Sequence, residues 1–367
     1  MKFSFDRDAL LKEISIAQEI IATKNAISIL SNVLLEASAG TLTIKATDIK
    51  VNFETKIPVD VSEEGSTTVF CDKFMSIISS LPQGEIEFEQ KDIRITIRST
   101  MKKARFQLKS ITSDKYPEFT SPSNLQFFEV PVKEFKEMIN QTVFSVSADE
   151  TRYFMNGVYM ERLGDKLQLV ATDGRRLAFI AKEFGIAIPE FKGVIVPPKI
   201  LTIINKRATD EGPLSIAVGE KNIFFRFANY EFSSVLIEGQ FPNYSRVIPE
   251  SQSYSFEVDT RDIMEALKRV ALLVEQKSRR VYLTVAPGTL TISSQETEIG
   301  TAKEEIPCKY DGDEITIALN YLYVEEPIKV IGSDRVKFDF TEAMKAVTVR
   351  SEPGKDFFHI IMPMQME

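Results

Sequence analysis

One pattern occurs three times along this 367-residue chain, at intervals of about 125 residues. It reads FSFDRDALLKEI from Phe3, FEVPVKEFKEMI from Phe128 and FEVDTRDIMEAL from Phe256. In each copy, apolar residues two positions apart are followed by apolar residues four positions apart, which predicts a short strand that runs into a helix. A repeat of this length restricts the chain to an architecture built from three copies of one unit.

Further similarities follow in the same order within the copies. Alternating residues predict a half-buried strand in GTLTIKATD from Gly40, DKLQLVATD from Asp165 and GTLTISSQE from Gly288. The stretches KFMSII and KILTII, from Lys73 and Lys199, predict a second, shorter amphipathic helix. Several matches in one order are much harder to explain by chance than any single match.

Proline and serine residues mark two linkers, TSPSN at 120–124 and IPESQS at 248–253. The sequence therefore predicts an α+β protein with three domains, at 1–121, 122–249 and 250–367. Alternating strands with hairpin-length turns outnumber the helices, so each domain is predicted to hold two helices and antiparallel sheets.

The composition excludes several kinds of site. The chain has one histidine, so a histidine-rich metal site is excluded, and it has no phosphate-binding loop of the GxxxxGK[ST] type. We expect no metal and no cofactor. Two cysteines and no long apolar run favour a reducing cytoplasm and no membrane span. The formal charge of −8 disfavours a generally basic nucleic-acid binder but leaves local patches open.

The stretch VATDGRRLA, at 170–178, groups a hydroxyl, a carboxylate, a glycine and two guanidinium groups. Its Ala-Thr-Asp recurs at 46–48, so we interpret Thr-Asp as a strand-ending turn with an Asx hydrogen bond. Only the second copy has Gly174, Arg175 and Arg176, which points to binding. An enzyme that uses Asp173 with Arg176 in a cleft, and a scaffold that binds no nucleic acid, remain alternatives.

Four stretches in order resemble the bacterial sliding clamp family, the β subunit of the replicative DNA polymerase. They are MKFSFDRDALLK at the start, ATDGRRLA, FPNYSRVIP at 241–249 and IIMPMQ at 360–365. The resemblance implies a head-to-tail homodimeric ring of DNA-clamp domains, with helices facing inward and sheets outside. Such a ring is a non-enzymatic processivity factor, which encircles duplex DNA without reading its sequence and slides on it.

Domain size is consistent with two chains per ring. A domain of this length has a radius of gyration of roughly 14 Å, and six such spheres in a ring leave an opening of about 35 Å. Three spheres leave only about 5 Å, far less than the roughly 20 Å of a DNA duplex. One chain alone therefore cannot encircle DNA, whereas two chains can.

The resemblance also implies a pocket between the second and third domains that takes short linear motifs. The implied partners are the replicative polymerase, the clamp loader, translesion polymerases and repair proteins. The matching positions are Met155, Thr172, Gly174, Arg175, Arg176, Leu177, Pro242, Arg246, Val247, Asn320, Tyr323, Met344, Met362, Pro363 and Met364. Methionines adapt to varied apolar anchors, although the alternative is that those of IIMPM fill a core. Ser278 and the Met366–Glu367 tail depart from the family pattern.

Two more sets complete the predicted contacts. Positions expected to face DNA are Lys24, Arg152, Tyr153, Phe154, Lys199, Lys206 and Arg207, with further basic residues between 261 and 280; a solvated helix face is the alternative for each cation. The dimer seam is expected to join Lys103, Arg105, Phe106 and Leu108 of one copy to Leu272, Leu273, Glu298 and Glu304 of the other, with an ordinary domain core as the alternative for the leucines.

Overall fold

The computed structural model describes residues 1–21 and 28–366. Lys24 and Glu367 therefore lie outside the described residues. The chain forms two compact units, Met1–Val132 with Lys206–Leu236, and Lys133–Asn205 with Ile237–Glu367. The boundaries of these units do not test the predicted domain limits, which stay a prediction.

The elements follow the repeats along the chain. The first repeat contains β1 (Lys2–Asp6), α1 (Arg7–Ile20), β2 (Asn32–Ser38), β3 (Thr41–Thr47), β4 (Val51–Pro58), β5 (Asp60–Glu63), β6 (Gly65–Phe70), α2 (Cys71–Ser80), β7 (Glu85–Lys91), β8 (Arg94–Ser99) and β9 (Arg105–Lys109). The second contains β10 (Phe128–Pro131), α3 (Val132–Thr142), β11 (Val158–Leu163), β12 (Lys166–Thr172), β13 (Arg176–Glu183), β14 (Val194–Val196), α4 (Pro198–Arg207), β15 (Pro213–Val218), β16 (Asn222–Phe227) and β17 (Tyr230–Val235). The third contains β18 (Tyr254–Asp259), α5 (Thr260–Val270), β19 (Arg280–Ala286), β20 (Thr289–Ser294), β21 (Lys303–Lys309), β22 (Ile315–Asn320), α6 (Tyr321–Ile331), β23 (Arg335–Phe340), β24 (Val347–Glu352) and β25 (Phe357–Ile361).

The predicted strand-to-helix transition is confirmed in all three repeats, at β1–α1, β10–α3 and β18–α5. In the first and third repeats an aspartate side chain caps the helix. Asp6 accepts hydrogen bonds from the N–H groups of Asp8 and Ala9, and Asp259 accepts from Arg261 and Asp262. A capping carboxylate satisfies N–H groups that have no partner within the helix, so the local sequence fixes where each helix begins.

The first unit contains a five-stranded sheet, β5-β1-β7-β8-β9, and an eight-stranded sheet, β10-β15-β16-β17-β4-β3-β2-β6. The larger sheet joins two repeats, because β17 of the second repeat pairs antiparallel with β4 of the first. At this junction Phe232 lies opposite Phe53, with ring centroids 5.1 Å apart. Buried aromatic pairs of this kind stabilise cross-strand pairing.

The second unit contains a twelve-stranded antiparallel sheet, β14-β11-β12-β13-β25-β24-β23-β18-β21-β20-β19-β22. It joins the second repeat to the third, because β13 pairs with the last strand, β25, from Arg176 opposite Ile361 to Ile180 opposite Phe357. This pairing brings the turn before β13 to the segment that follows β25. Helix α6 begins directly after β22, with Asn320 as its cap.

Among the described residues, no group of three histidine, cysteine, aspartate or glutamate side chains is arranged to hold a metal ion. A search of the same residues finds no helix long and apolar enough to cross a membrane.

Candidate functional site

The turn between β12 and β13 is built by the side chains of Thr172 and Asp173. The Asp173 carboxylate accepts hydrogen bonds from the N–H groups of Arg175, at 2.9 Å, and Arg176, at 3.1 Å. Gly174 donates its N–H to the Thr172 hydroxyl and has a left-handed backbone, with φ of 87°. The predicted Asx hydrogen bond is confirmed, so Thr-Asp shapes the turn.

The first repeat makes the same turn with the same Thr-Asp pair. There the Asp48 carboxylate accepts from the N–H groups of Lys50 and Val51. The Thr47 hydroxyl accepts from Ile49, whose φ of 79° is in the same left-handed region. The backbone is therefore common to two repeats, and what distinguishes the second is the pair of arginines after the glycine.

Arg176 connects three parts of the second unit. Its Nε donates to Asp173 at 3.1 Å, its Nη2 donates to the carbonyl of Phe144 at 2.6 Å, and its Nη1 pairs with Glu326 of α6. The guanidinium also lies 4.4 Å from the ring centroid of Tyr323, a cation–π distance. Only 10% of the side chain is exposed. Arg176 thus positions α6 and the Tyr323 ring against the turn.

A cavity of about 350 Å³ opens beside this network. Met362 donates its N–H to the carbonyl of Arg175, and Met364 donates to that of Ala318, so the chain end is fixed along the rim. The residues that line the cavity are Arg175, Arg280, Asn320, Tyr323, Met362, Pro363, Met364 and Gln365. The methionines and Tyr323 supply apolar surface, and the two arginines add guanidinium groups to the lining. This combination suits a ligand with apolar side chains and at least one polar group.

The structure brings six of the predicted pocket residues together in this lining: Arg175, Asn320, Tyr323, Met362, Pro363 and Met364. Sequence reasoning missed Arg280 and Gln365. Arg280 lies opposite Asn320 in the β19–β22 pairing, 40 residues along the chain, and only that pairing places it at the pocket. Met362 is 43% exposed, so the alternative that it fills a core does not apply to it.

The other predicted pocket residues take different positions. Leu177 is buried in an apolar cluster with Val170, Ile195, Phe241 and Ile360, directly behind the turn. Met155 and Thr172 are buried as well. The remaining predicted residues are outside the lining of the cavity: Gly174, Arg246, Val247 and Met344 are exposed, and Pro242 is part-exposed.

A larger cavity, about 550 Å³, lies in the first unit but is mainly polar. Four of its charged side chains are paired with each other, since Lys45 lies 2.9 Å from Glu36, and Arg226 lies 2.7 Å from Glu231. The lining of the smaller cavity is mainly apolar, and we therefore take the smaller cavity as the candidate site.

Comparisons with known proteins cover the whole chain. Family models of the DNA polymerase III beta subunit match residues 1–120 (N-terminal domain), 129–243 (central domain) and 245–365 (C-terminal domain). The chain belongs to the beta sliding clamp family. It is 50% identical to the beta sliding clamp of Treponema pallidum (strain Nichols) and 30% identical to that of Escherichia coli (strain K12), with 100% of each chain covered in both cases.

Solved sliding clamps have the same fold. The DNA polymerase III subunit beta of Pseudomonas aeruginosa matches with a TM-score of 0.95 at 28% identity, over 100% of both chains. The sliding clamp of Bacillus subtilis matches with a TM-score of 0.95 at 27% identity, again over 100% of both chains. The fold of this chain is therefore three DNA-clamp domains with antiparallel sheets and helices, as the sequence predicted.

Two of the cations predicted to face DNA in this clamp chain share one carboxylate. Lys206 and Arg207, in the last turn of α4, both contact the Glu19 carboxylate of α1; Arg207 Nε lies 3.1 Å from it. Burial opposes ionisation of Glu19, but the hydrogen bonds from Arg207 and Lys206 outweigh burial and lower its pKa. These two charges are thus partly neutralised within the chain.

Apart from Lys24, which lies outside the described residues, the other residues predicted to face DNA belong to the second unit. Arg152 pairs with Asp149 at 2.9 Å, and Tyr153 beside it is 53% exposed. A side chain at Gly174 would meet the Arg152 guanidinium at 2.8 Å, so glycine leaves room for it. Phe154 packs against the apolar cluster of Leu177, and Lys199 lies in the first turn of α4.

The residues predicted for the dimer seam of a sliding clamp lie at two places. Phe106 and Leu108 are part-exposed on β9, the edge strand of the five-stranded sheet. Leu272 is 80% exposed and Leu273 is part-exposed, just after α5. The four charged positions are Lys103, Arg105 and Glu298, all exposed, and Glu304, whose carboxylate pairs with Arg269 of the same chain at 2.8 Å.

Proposed function

We propose that this chain is the processivity factor of a replicative DNA polymerase. In this proposal two copies close head to tail into a ring that encircles duplex DNA, slides on it and tethers polymerase and other DNA-processing proteins. The observation that carries the proposal is the ordered match of all three beta subunit domains along the whole chain. A non-catalytic role agrees with the site, because Asp173 is engaged by the turn and by Arg176.

Ring closure holds DNA by confinement, so strong attraction to phosphates is unnecessary. The pairing of Lys206 and Arg207 with Glu19 reduces the positive charge available to DNA. A modest positive field attracts the backbone without reading bases, and it lets the ring move between sites. We further propose a cytoplasmic location, where bacterial DNA is replicated.

The test is retention on circular and linear DNA. The protein is loaded with its clamp loader and ATP onto a nicked circle, and bound protein is measured after a wash at 1 M NaCl. We expect retention on the circle and loss within minutes after the circle is cut once, because ends allow the ring to slide off. Equal loss from both DNAs at high salt would contradict confinement, and equal retention would indicate adhesion.

The proposed seam joins exposed apolar and strand-edge surfaces. Among the described strands, β9 has only one neighbour, so its outer edge is open to pairing with a second copy. The third repeat exposes Leu272 and Ile299, 80% and 87% exposed, and Leu273 lies 3.9 Å from the position that a side chain at Gly300 would take. Clustered exposed apolar residues mark a contact surface, and heterologous contacts of this kind close into rings when the geometry permits.

Changing Leu272 and Leu273 together to alanine is expected to convert dimers to monomers. Removal of large apolar side chains from the centre of a seam costs about 2 kcal/mol or more in association energy. Mass is measured by light scattering at micromolar concentration, and the melting temperature is followed in parallel. Leu163→Ala is the matched control, because Leu163 is 63% exposed at the β11–β12 hairpin and is not one of the residues of the proposed seam. An unchanged dimer mass for the double variant would place the seam elsewhere.

For partner binding we propose the cavity lined by Tyr323, Met362 and Met364. Sliding clamps of Pseudomonas aeruginosa and Bartonella birtlesii have been solved bound to griselimycin, so members of this family accept a discrete ligand. The adaptable methionines suit a pocket shared by several partners, among which we include the polymerase, the clamp loader, translesion polymerases and repair proteins.

A further inference from the structure

Two positive charges in the candidate pocket have no negative partner in the described part of the chain. Arg175 and Arg280 both line the cavity. Neither makes an ion pair with any residue that the structure describes. In a chain whose formal charge is −8, this pocket is therefore a local concentration of positive charge on an apolar floor.

Two carboxylates, one on the β12–β13 turn and one on α6, are engaged by another arginine, Arg176. Asp173 accepts from the N–H groups of Arg175 and Arg176 and from Nε of Arg176. Glu326 pairs with Nη1 of Arg176. Because Arg176 holds both carboxylates, they are not free to turn toward the cavity and neutralise the other two guanidinium groups.

The hydrogen-bonding capacity of Arg280 is incompletely used. Its Nε is buried and has no hydrogen-bond partner within residues 1–21 and 28–366, and its Nη1 donates to the Tyr282 hydroxyl at 3.5 Å. A buried N–H without a partner is costly, more so on a charged group. Because Arg280 lines the cavity, its planar guanidinium is suited to donate two parallel hydrogen bonds to a carboxylate bound there.

We propose that Arg280, assisted by Arg175, selects partner segments that carry a carboxylate next to their apolar anchors. This inference rests on the proposed peptide-binding function and specifies its ligand. The methionines and Tyr323 accept apolar side chains of varied shape, whereas the guanidinium groups set the charge. Arg280 is thus a specificity-determining residue that the sequence motifs did not reveal.

The experiment compares two decapeptides that share the same leucine and phenylalanine anchors, have amidated ends and differ only in Asp or Asn between the anchors. Binding to the full-length protein is measured by fluorescence anisotropy. We expect the Asp peptide to bind roughly ten-fold more tightly than the Asn peptide at low salt. This ratio should shrink as NaCl is raised, because salt screens the contact.

Arg280→Gln should bring the Asp-to-Asn affinity ratio close to one by weakening the Asp peptide much more than the Asn peptide, and Arg175→Gln should lower the ratio less. Arg279→Gln is the matched control, because Arg279 is exposed one position away and does not line the cavity; it should leave the ratio unchanged.

An equal loss of affinity for both peptides in Arg280→Gln would overturn the inference in favour of a packing role. Equal binding of both peptides to the unaltered protein would overturn it as well. If griselimycin binds and neither peptide does, selection by charge is wrong. If nothing binds, the pocket assignment itself fails.

Discussion

Removal of residues 362–367 should lower the affinity for partner segments by more than about 100-fold, equivalent to roughly 2.7 kcal/mol, while leaving the fold intact. The deletion removes Met362, Pro363, Met364 and Gln365, half of the residues that line the cavity. The terminal strand β25 ends at Ile361 and keeps its pairing with β13. Met362 is 43% exposed, so its loss opens no core.

Affinity is measured with a fluorescent copy of the clamp-binding segment of the replicative polymerase, and griselimycin serves as competitor. A shorter deletion, of residues 366 and 367, is the matched control. It leaves the cavity lining complete, removes a Met366 carbonyl that accepts from Tyr282, and should bind within about two-fold of the full chain by the same free-energy scale. Undiminished binding by the longer deletion would move the pocket to another surface.

Acid should destabilise the second unit through His359, the sole histidine of the sequence. The ring is fully buried, and its Nε2 lies 3.0 Å from the Gln141 Oε1, to which the neutral ring donates; Gln141 in turn donates to the carbonyl of Val330. Nδ1 has no partner. Burial, together with the nearby Arg176 charge, lowers the pKa of His359 to about 3.

The direction of this pH dependence follows from how many protons the folded and unfolded chains bind. An unfolded histidine has a pKa of about 6.5, so between pH 6.5 and 3 the unfolded chain binds a proton that the folded chain does not. The contribution of His359 to the free energy of unfolding is therefore fully present above pH 6.5 and is lost as the pH is lowered, by roughly 2 kcal/mol at pH 5.

His359→Gln should reduce this dependence, since glutamine keeps a group able to bond with Gln141 but does not titrate. Urea unfolding is followed between pH 5 and 8 at one protein concentration, because the proposed dimer makes stability depend on concentration. Burial raises the pKa of Glu13, so Glu13 also contributes to the pH dependence. Subtracting the unfolding free energies of the variant from those of the unaltered protein removes that contribution. Parallel pH profiles for both proteins would show that His359 does not control acid stability.

Local patterns in the sequence predicted the local structure well. The strand-to-helix transitions, the hairpin strands and the Asx turn at Asp173 each depend on residues within about ten positions, where periodicity and capping chemistry are decisive. The tail methionines at the cavity came from the family resemblance, and the structure places them there.

The features that the sequence did not reveal depend on contacts between residues that are far apart along the chain. The pairing of β17 with β4 joins residues about 180 positions apart, and no periodicity encodes which edges meet. The sequence groups Arg280 with the other basic residues between 261 and 280 that are expected to face DNA, whereas the β19–β22 pairing places it in the pocket. Glu304 was expected to serve the seam, and the fold also gives it Arg269 as a partner in its own chain. The composition of a pocket at a junction follows from tertiary structure.

The pairing of β13 with β25 also limits how the repeats can be separated. A fragment that ends at residue 249 would lack β25, and β13 from Arg176 to Ile180 would present bare N–H and C=O groups to solvent. Such an open edge invites aggregation. The three repeats share one sequence pattern, but they are not independent modules. Transfer of the second repeat into another protein would require a new strand to pair with the open edge of β13.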